Sequence, residues 1–238
     1  MQRRLLVLIS ASCAVFSARL AAAHVTIASG PAIANTSQVV TFTIAHGCPG
    51  ALAGDPDLDT IALTIDIPAN VTAVRAVPSA FGKATVQKTA GAVTSVTWTK
   101  PTDDQLATDD DFYTMSLRLK TPNFPFAQIF FASHQTCKRP DGTLTTVDWI
   151  ALPGDVTHEP AAALTLVPPR LPGWNTYTIG QNTHVPDMTI FFQDAQIVWR
   201  DNAAYSFNPA IATAIATTPG VTALTGGVHP DDVIWVKY

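Results

Sequence analysis

The residue with the most direct chemical potential is His24, because of what stands before it. Residues 1–23 read MQRRLLVLISASCAVFSARLAAA, with Arg3 and Arg4, an apolar run from Leu5 to Phe16, and then Ala21-Ala22-Ala23. A basic start, a short apolar stretch and a small-residue cleavage point form the pattern of an export signal. The run is too short to span a bilayer, and Arg19 keeps it from extending further. Cleavage after Ala23 would make His24 the first residue of the mature chain. A free amino-terminal histidine carries two nitrogen donors, the α-amine and the imidazole, and chelates a metal through both. The amine, with a pKa of about 8, yields its proton to a metal near neutral pH. Donors of this kind suit Cu(II), which heads the affinity order of the divalent first-row metals.

The cysteines follow the same logic. Cys13 falls in the leader, so the exported chain keeps Cys48 and Cys137. Two cysteines in an oxidising compartment, periplasmic or extracellular, are expected to join. The bridge would close a loop of roughly 90 residues, worth about 4–5 kcal/mol in the chain-entropy model. It would also draw together the neighbourhoods of His46, two residues before Cys48, and His134, three before Cys137. Those offsets differ in parity, so the expectation is one ring near the bridge and the other exposed. His184 and Met188, four apart, are a further pair of metal-capable side chains.

Catalytic signatures are absent. There is no G-x-S-x-G, no H-E-x-x-H and no glycine-rich phosphate loop, and His158-Glu159 is followed by no second histidine at metal spacing. This weighs against an enzyme. An amino-terminal-histidine copper oxidase would need a second imidazole from His46, His134 or His158. The net charge of −4 offers nothing to a nucleic acid, and removal of three leader arginines makes the mature chain more acidic still. Nothing indicates membrane association.

The elements that must position these residues are mainly β. The 238 residues are 47% apolar and only 13% charged, with 18 Pro and 13 Gly. Charged residues average about a quarter of soluble domains. That balance argues against coiled coils and helical bundles, and the apolar fraction is too high for disorder. From His24 to about Leu166, short β-branched runs alternate with turn signals. Strands are expected over 39–44, 61–67, 93–98, 112–119, 129–131 and 147–152. The turns fall at Pro49-Gly50, Asp55-Pro56, Pro68-Ala69-Asn70, Pro101, Pro122-Asn123 and Asp141-Gly142. Such a pattern describes a sandwich rather than a parallel sheet. A last strand over 164–167 leads into a proline-rich linker at 168–173. The remaining unit, 174–238, is small enough to need docking on the sandwich. In it, residues 189–199 read as a strand or hairpin. Asn208-Pro209 starts a helix that runs to about Thr217, and 233–237 is a final strand. Its aromatics Trp174, Tyr177, Phe191, Phe192, Trp199, Tyr205, Trp235 and Tyr238 form either a small core or a surface for a partner.

Several ordered motifs in 24–167 resemble those of the YcnI-like family of exported copper-binding domains. They are Ala23-His24-Val25-Thr26-Ile27 after the leader, His46-Gly47-Cys48, Asp59-Thr60 with Ile65-Asp66-Ile67-Pro68, and Val96-Thr97-Trp98. Asp110-Asp111-Phe112-Tyr113, Gln135-Thr136-Cys137, Trp149 with Pro153-Gly154, and Asp155 to His158 complete the series. The resemblance implies an immunoglobulin-like β-sandwich with a small C-terminal α+β unit that the family does not cover. It further implies a copper ion held by the terminal histidine, an acidic side chain and a nearby tryptophan, and a role in copper delivery or sequestration alongside other exported copper-handling proteins. His24 matches the first of these positions and Trp149 the tryptophan. The acidic position departs from the family, because its D-E-F stretch reads Thr114-Met115-Ser116 here. Asp111 could supply the oxygen, or else be a solvated charge of the aspartate-rich loop. Met115 could supply a thioether, which favours Cu(I), or else be a core residue of a strand.

Overall fold

The computed structural model describes residues 24–52, 54–180 and 188–238. The leader reading of residues 1–23, and His184 of the His184–Met188 pair, fall outside them.

Strands are numbered along the chain. One sheet has the order β1 (Val25–Ile27), β3 (Ser37–Ile44), β8 (Tyr113–Lys120), β5 (Thr72–Ala76). A larger sheet has the order β12 (Glu159–Pro160), β11 (Leu144–Ala151), β10 (Ser133–Lys138), β4 (Thr60–Asp66), β7 (Ala92–Thr99), β6 (Lys83–Thr89). Three further strands, β2 (Ala32–Ile33), β13 (Ala162–Val167) and β9 (Gln128–Phe131), form a small sheet. The chain is mainly β, with the sandwich the strand pattern predicts.

Strand periodicity explains the packing. Along β8 the side chains of Tyr113, Met115, Leu117 and Leu119 are buried, while Thr114, Arg118 and Lys120 face solvent. A period of two puts one apolar row on one face. From across the core come Leu63 and Ile65 of β4, Val96 and Trp98 of β7, and Phe131 of β9. Phe42 and Phe131 meet edge to face, centroids 5.3 Å apart. Interdigitated inner faces of this kind make a sandwich core.

A five-stranded sheet completes the chain, in the order β14 (Trp174–Thr178), β18 (Val233–Lys237), β15 (Ile197–Arg200), β16 (Ala203–Tyr205), β17 (Thr222–Ala223). Two helices accompany it, α1 (Met188–Phe192) and α2 (Pro209–Thr217). The predicted helix start is present: Asn208 accepts the Ala210 N–H at 2.9 Å and Pro209 occupies the first turn. The strand or hairpin expected over 189–199 is corrected. Its first part is the short helix α1, and only Ile197 onward is extended. Phe191 and Phe192 are both buried, packed on Phe126 of the β8–β9 connection. Two adjacent buried aromatics do not fit an alternating strand, whereas one turn of helix turns both toward a core. That cluster also includes Val167, Ile179, Met188, Val198, Ile234 and Val236, so sandwich residues and the C-terminal sheet share it.

Candidate metal centre

His24 stands immediately ahead of β1. The antiparallel pairing of Val25 with Ile44 and Ile27 with Phe42 fixes its backbone, and the Thr26 and Thr43 hydroxyls bond across that pair at 2.7 Å. The half-buried His24 ring lies 5.4 Å, centroid to centroid, from the indole of Trp149, the planes inclined by 53°. Trp149 is on β11 and only 3% exposed.

The indole is held from behind. Its Nε1–H donates to Oε1 of Gln135 on β10 at 3.1 Å. The Gln135 amide then donates to the His46 carbonyl at 3.0 Å and to the Thr60 hydroxyl at 2.8 Å. Gln135 is 1% exposed, so these bonds are made without competition from water. With its N–H engaged, Trp149 presents π surface rather than a donor to His24.

The disulfide closes the same neighbourhood. Cys48 and Cys137 are bonded with Cα atoms 6.0 Å apart, two residues after His46 and Gln135 respectively. Gly47, between His46 and Cys48, could carry no side chain: a Cβ there would fall 1.8 Å from the Leu58 carbonyl oxygen. Its N–H donates to Asp109 Oδ2 at 2.6 Å. Burial raises the Asp109 pKa, the Gly47 hydrogen bond opposes this, and the charges of Asp59 and Asp57 add to the rise.

Residues 24–166 match a family model described as a domain of unknown function, DUF1775. The chain belongs to that family. Among solved structures, the chain is similar to a protein from Nocardia farcinica described as an uncharacterized protein with an immunoglobulin-like fold. The identity is 26%, the match covers 60% of this chain and 97% of that one, and the TM-score is 0.46. No curated protein matches the chain.

The DUF1775 domain brings the His24 and Trp149 rings together, and among the described residues no hydrogen bond, ion pair or ring contact joins Asp111 or Met115 to either. Met115 is 1% exposed, in register with Phe42 inside the core, which is its strand-residue reading. Asp111 is exposed and lines a shallow groove with Ser79, Phe81, Lys100, Asp103 and Tyr113. The Ser79 hydroxyl donates to the Thr114 carbonyl and the Val77 N–H to the Ser116 carbonyl. Those bonds lay residues 77–79 along the β5 edge of β8, while β3 and β1 occupy the other edge. Among the described residues no three His, Cys, Asp or Glu side chains form a metal-holding group.

The other histidines do not divide into one shielded and one exposed ring, since the His46 and His134 side chains are 32% and 35% exposed. His46 stays by the bridge, its Nδ1 3.3 Å from Asp57. His134 is on the outer face of β10, 2.7 Å from Asp148 and 3.3 Å from Asp66. Burial pulls its pKa down, but the hydrogen bonds to Asp148 and Asp66 outweigh that and the net direction is up. His158 pairs with Asp155 at 2.9 Å in the β11–β12 turn. Thr157, through its hydroxyl and N–H, and then His158 hold the Asp155 carboxyl well below the usual range.

Two features carried no role in the sequence reading. One is Gln135, quoted only as part of a Q-T-C motif. The other is a buried trio of Asp59, Lys100 and Tyr113. The Lys100 ammonium lies 2.8 Å from the Asp59 carboxylate and donates to the Tyr113 oxygen at 2.6 Å. The Tyr113 hydroxyl donates to Asp59 at 2.5 Å. Burial, then the bond to Asp59, pushes the Tyr113 pKa far above the ordinary tyrosine range. A lysine placed directly before Pro101 at a strand end is the signal that could have pointed to it.

Proposed function

We propose that this protein is an exported copper-binding protein, a chaperone or sequestering module, whose mature terminus at His24 is the principal ligand. The α-amine and imidazole of His24 would hold the ion, and copper bound there would be cargo rather than a catalytic centre. Trp149 would cover one side and limit water access. The observation that carries the reading is the half-buried His24 ring set 5.4 Å from an indole whose own N–H is already engaged. The leader-like residues 1–23 and the YcnI-like motifs support it, and the Cys48–Cys137 bridge fits an oxidising compartment. Among the described residues no helix is long and apolar enough to cross a membrane.

Asp111 and Met115 remain the proposals for a further ligand. Met115 is enclosed in the core and Asp111 is in the exposed loop before β8, so the histidine and the indole carry the reading. Transfer to or from another exported copper-handling protein would use the same open side of His24.

The test is Cu(II) titration of protein beginning at His24 against protein carrying one added alanine before it. The addition converts the amine to an amide and removes one donor. An affinity lower by on the order of tenfold or more, matched by His24→Ala, is expected. Equal affinity of the extended and unextended forms would overturn the proposal.

A further inference from the structure

Three of the chain's five tryptophans are gathered on the open face of the C-terminal sheet. Trp235 of β18 is in register with Trp199 of β15 on one side and with Thr176 of β14 on the other. Trp174 is two residues before Thr176 and so shares that face. Directly opposed side chains on neighbouring strands stand about 5 Å apart and diagonal ones about 7–8 Å. The opposite face carries Val198, Ile234 and Val236, all at 0% exposure, and is the core face. Trp174 is 57% exposed and Trp235 42% exposed.

Trp174, Trp199, Trp235 and Asp201 line a shallow depression of about 270 Å³. Asp201 is in the β15–β16 turn with a left-handed backbone, φ +52°, and lines the depression beside the indoles. No two of the three indoles stack on each other, so their faces are not consumed internally. Among the described residues, the indole N–H groups, the Asp201 carboxylate and the Thr176 and Thr178 hydroxyls have no hydrogen-bond partner.

The charge selects the partner. Lys237 and Asp201 offset one another on this face, and the chain as a whole is acidic, with net charge −4. A phosphate backbone or an anionic lipid surface meets no positive field here. A depression of about 270 Å³ is close to the lower end of the roughly 300–1,000 Å³ range of small-molecule sites. What remains complementary is a neutral molecule with flat C–H faces to lie on indoles and hydroxyls at its edge. We propose that this face binds a neutral glycan, one or two pyranose rings resting on Trp174, Trp199 and Trp235 and hydrogen-bonded by Asp201 and the threonines. The proposal is independent of copper.

Native gels cast with hydroxyethyl cellulose, arabinoxylan, laminarin or galactomannan, and retention on chitin, test it with the full chain. At least one glycan should retard the protein, and Trp174→Ala and Trp235→Ala should each weaken that binding by roughly tenfold. Phe207→Ala, an exposed aromatic in the turn between β16 and α2, should leave it unchanged, and each variant's thermal midpoint reports folding. Trp235→Phe, which keeps an aromatic surface, should retain part of the affinity. Any one of three results would overturn the proposal. They are binding to none of the five glycans, binding that survives both alanine variants, and capture only by phosphatidylcholine vesicles or self-association through this face.

Discussion

Replacing Gln135 with leucine should loosen the candidate centre without touching a ligand. The amide satisfies the Trp149 N–H at 3.1 Å and the His46 carbonyl at 3.0 Å. Leucine has similar volume and no polar atom, so the Trp149 N–H loses its acceptor in the core. A buried orphan of this kind costs about 1–3 kcal/mol. The Thr60 hydroxyl adds little, because the Cys137 sulfur lies 4.0 Å away as a second weak partner. Relaxation and the new apolar contact return part of the loss, so about 2 kcal/mol is the expected destabilisation. Urea unfolding with the disulfide intact measures it. A double-mutant cycle with Trp149→Phe isolates the indole contribution, since removing both partners relieves one orphan and should return at least about 1 kcal/mol. A loss below about 1 kcal/mol, or a cycle without coupling, would refute the idea that Gln135 is the polar anchor of Trp149.

Three further outcomes rest on buried or constrained groups. Lys100→Met leaves the Asp59 carboxylate, 2% exposed, without its cation; a loss of about 3–5 kcal/mol is expected in denaturant unfolding, and a loss under about 1 kcal/mol would show that the pair is not buried in solution. Gly47→Ala drives a Cβ onto the Leu58 carbonyl, so the variant should oxidise Cys48 and Cys137 incompletely, which a free-thiol count detects, and a native midpoint with no free thiol contradicts this close approach. For His134, partners raise the folded pKa above the ordinary 6.5, so its contribution is complete below about pH 6.5 and fades as pH rises through the folded value. The urea midpoint of the protein should therefore fall relative to His134→Gln between about pH 6 and pH 8, and parallel profiles would show no such linkage.

The parts of the structure that could be read from sequence are those governed by local rules. The alternation in Tyr113–Lys120 is a period-two pattern visible in any single strand. The Asn208-Pro209 start of α2 is a capping signal confined to three residues. The pairing of Cys48 with Cys137 comes from a count. What escaped the reading depends on tertiary placement. Phe191 and Phe192 read as β because aromatic runs favour strands, and the cluster around Phe126, Val198 and Ile234, distant in sequence, makes a buried helical turn the better solution. Asp59, Lys100 and Tyr113 are ordinary surface-type residues until the fold buries them together. Gln135 is similar: a glutamine in a strand suggests the outer face, and its inward direction is set by the polar edges of Trp149, Thr60 and His46 that it must satisfy.

The same contrast separates the two sets of tryptophans. Trp98 and Trp149 have 0% and 3% exposure inside the sandwich, while Trp174 and Trp235 have 57% and 42% on the C-terminal sheet. An indole buried beside a histidine and pinned through its N–H has one neighbour to serve and little freedom. An indole on an open sheet face, with its N–H unpaired, keeps both its apolar surface and its donor for something outside the chain. Copper at His24 should therefore quench Trp149 and leave the open face untouched, whereas a glycan should shift the emission of Trp174 and Trp235 and leave metal affinity unchanged. Because the two readouts fall on different residues, the copper reading and the glycan reading stand or fall separately, and failure of either leaves the geometry supporting the other intact.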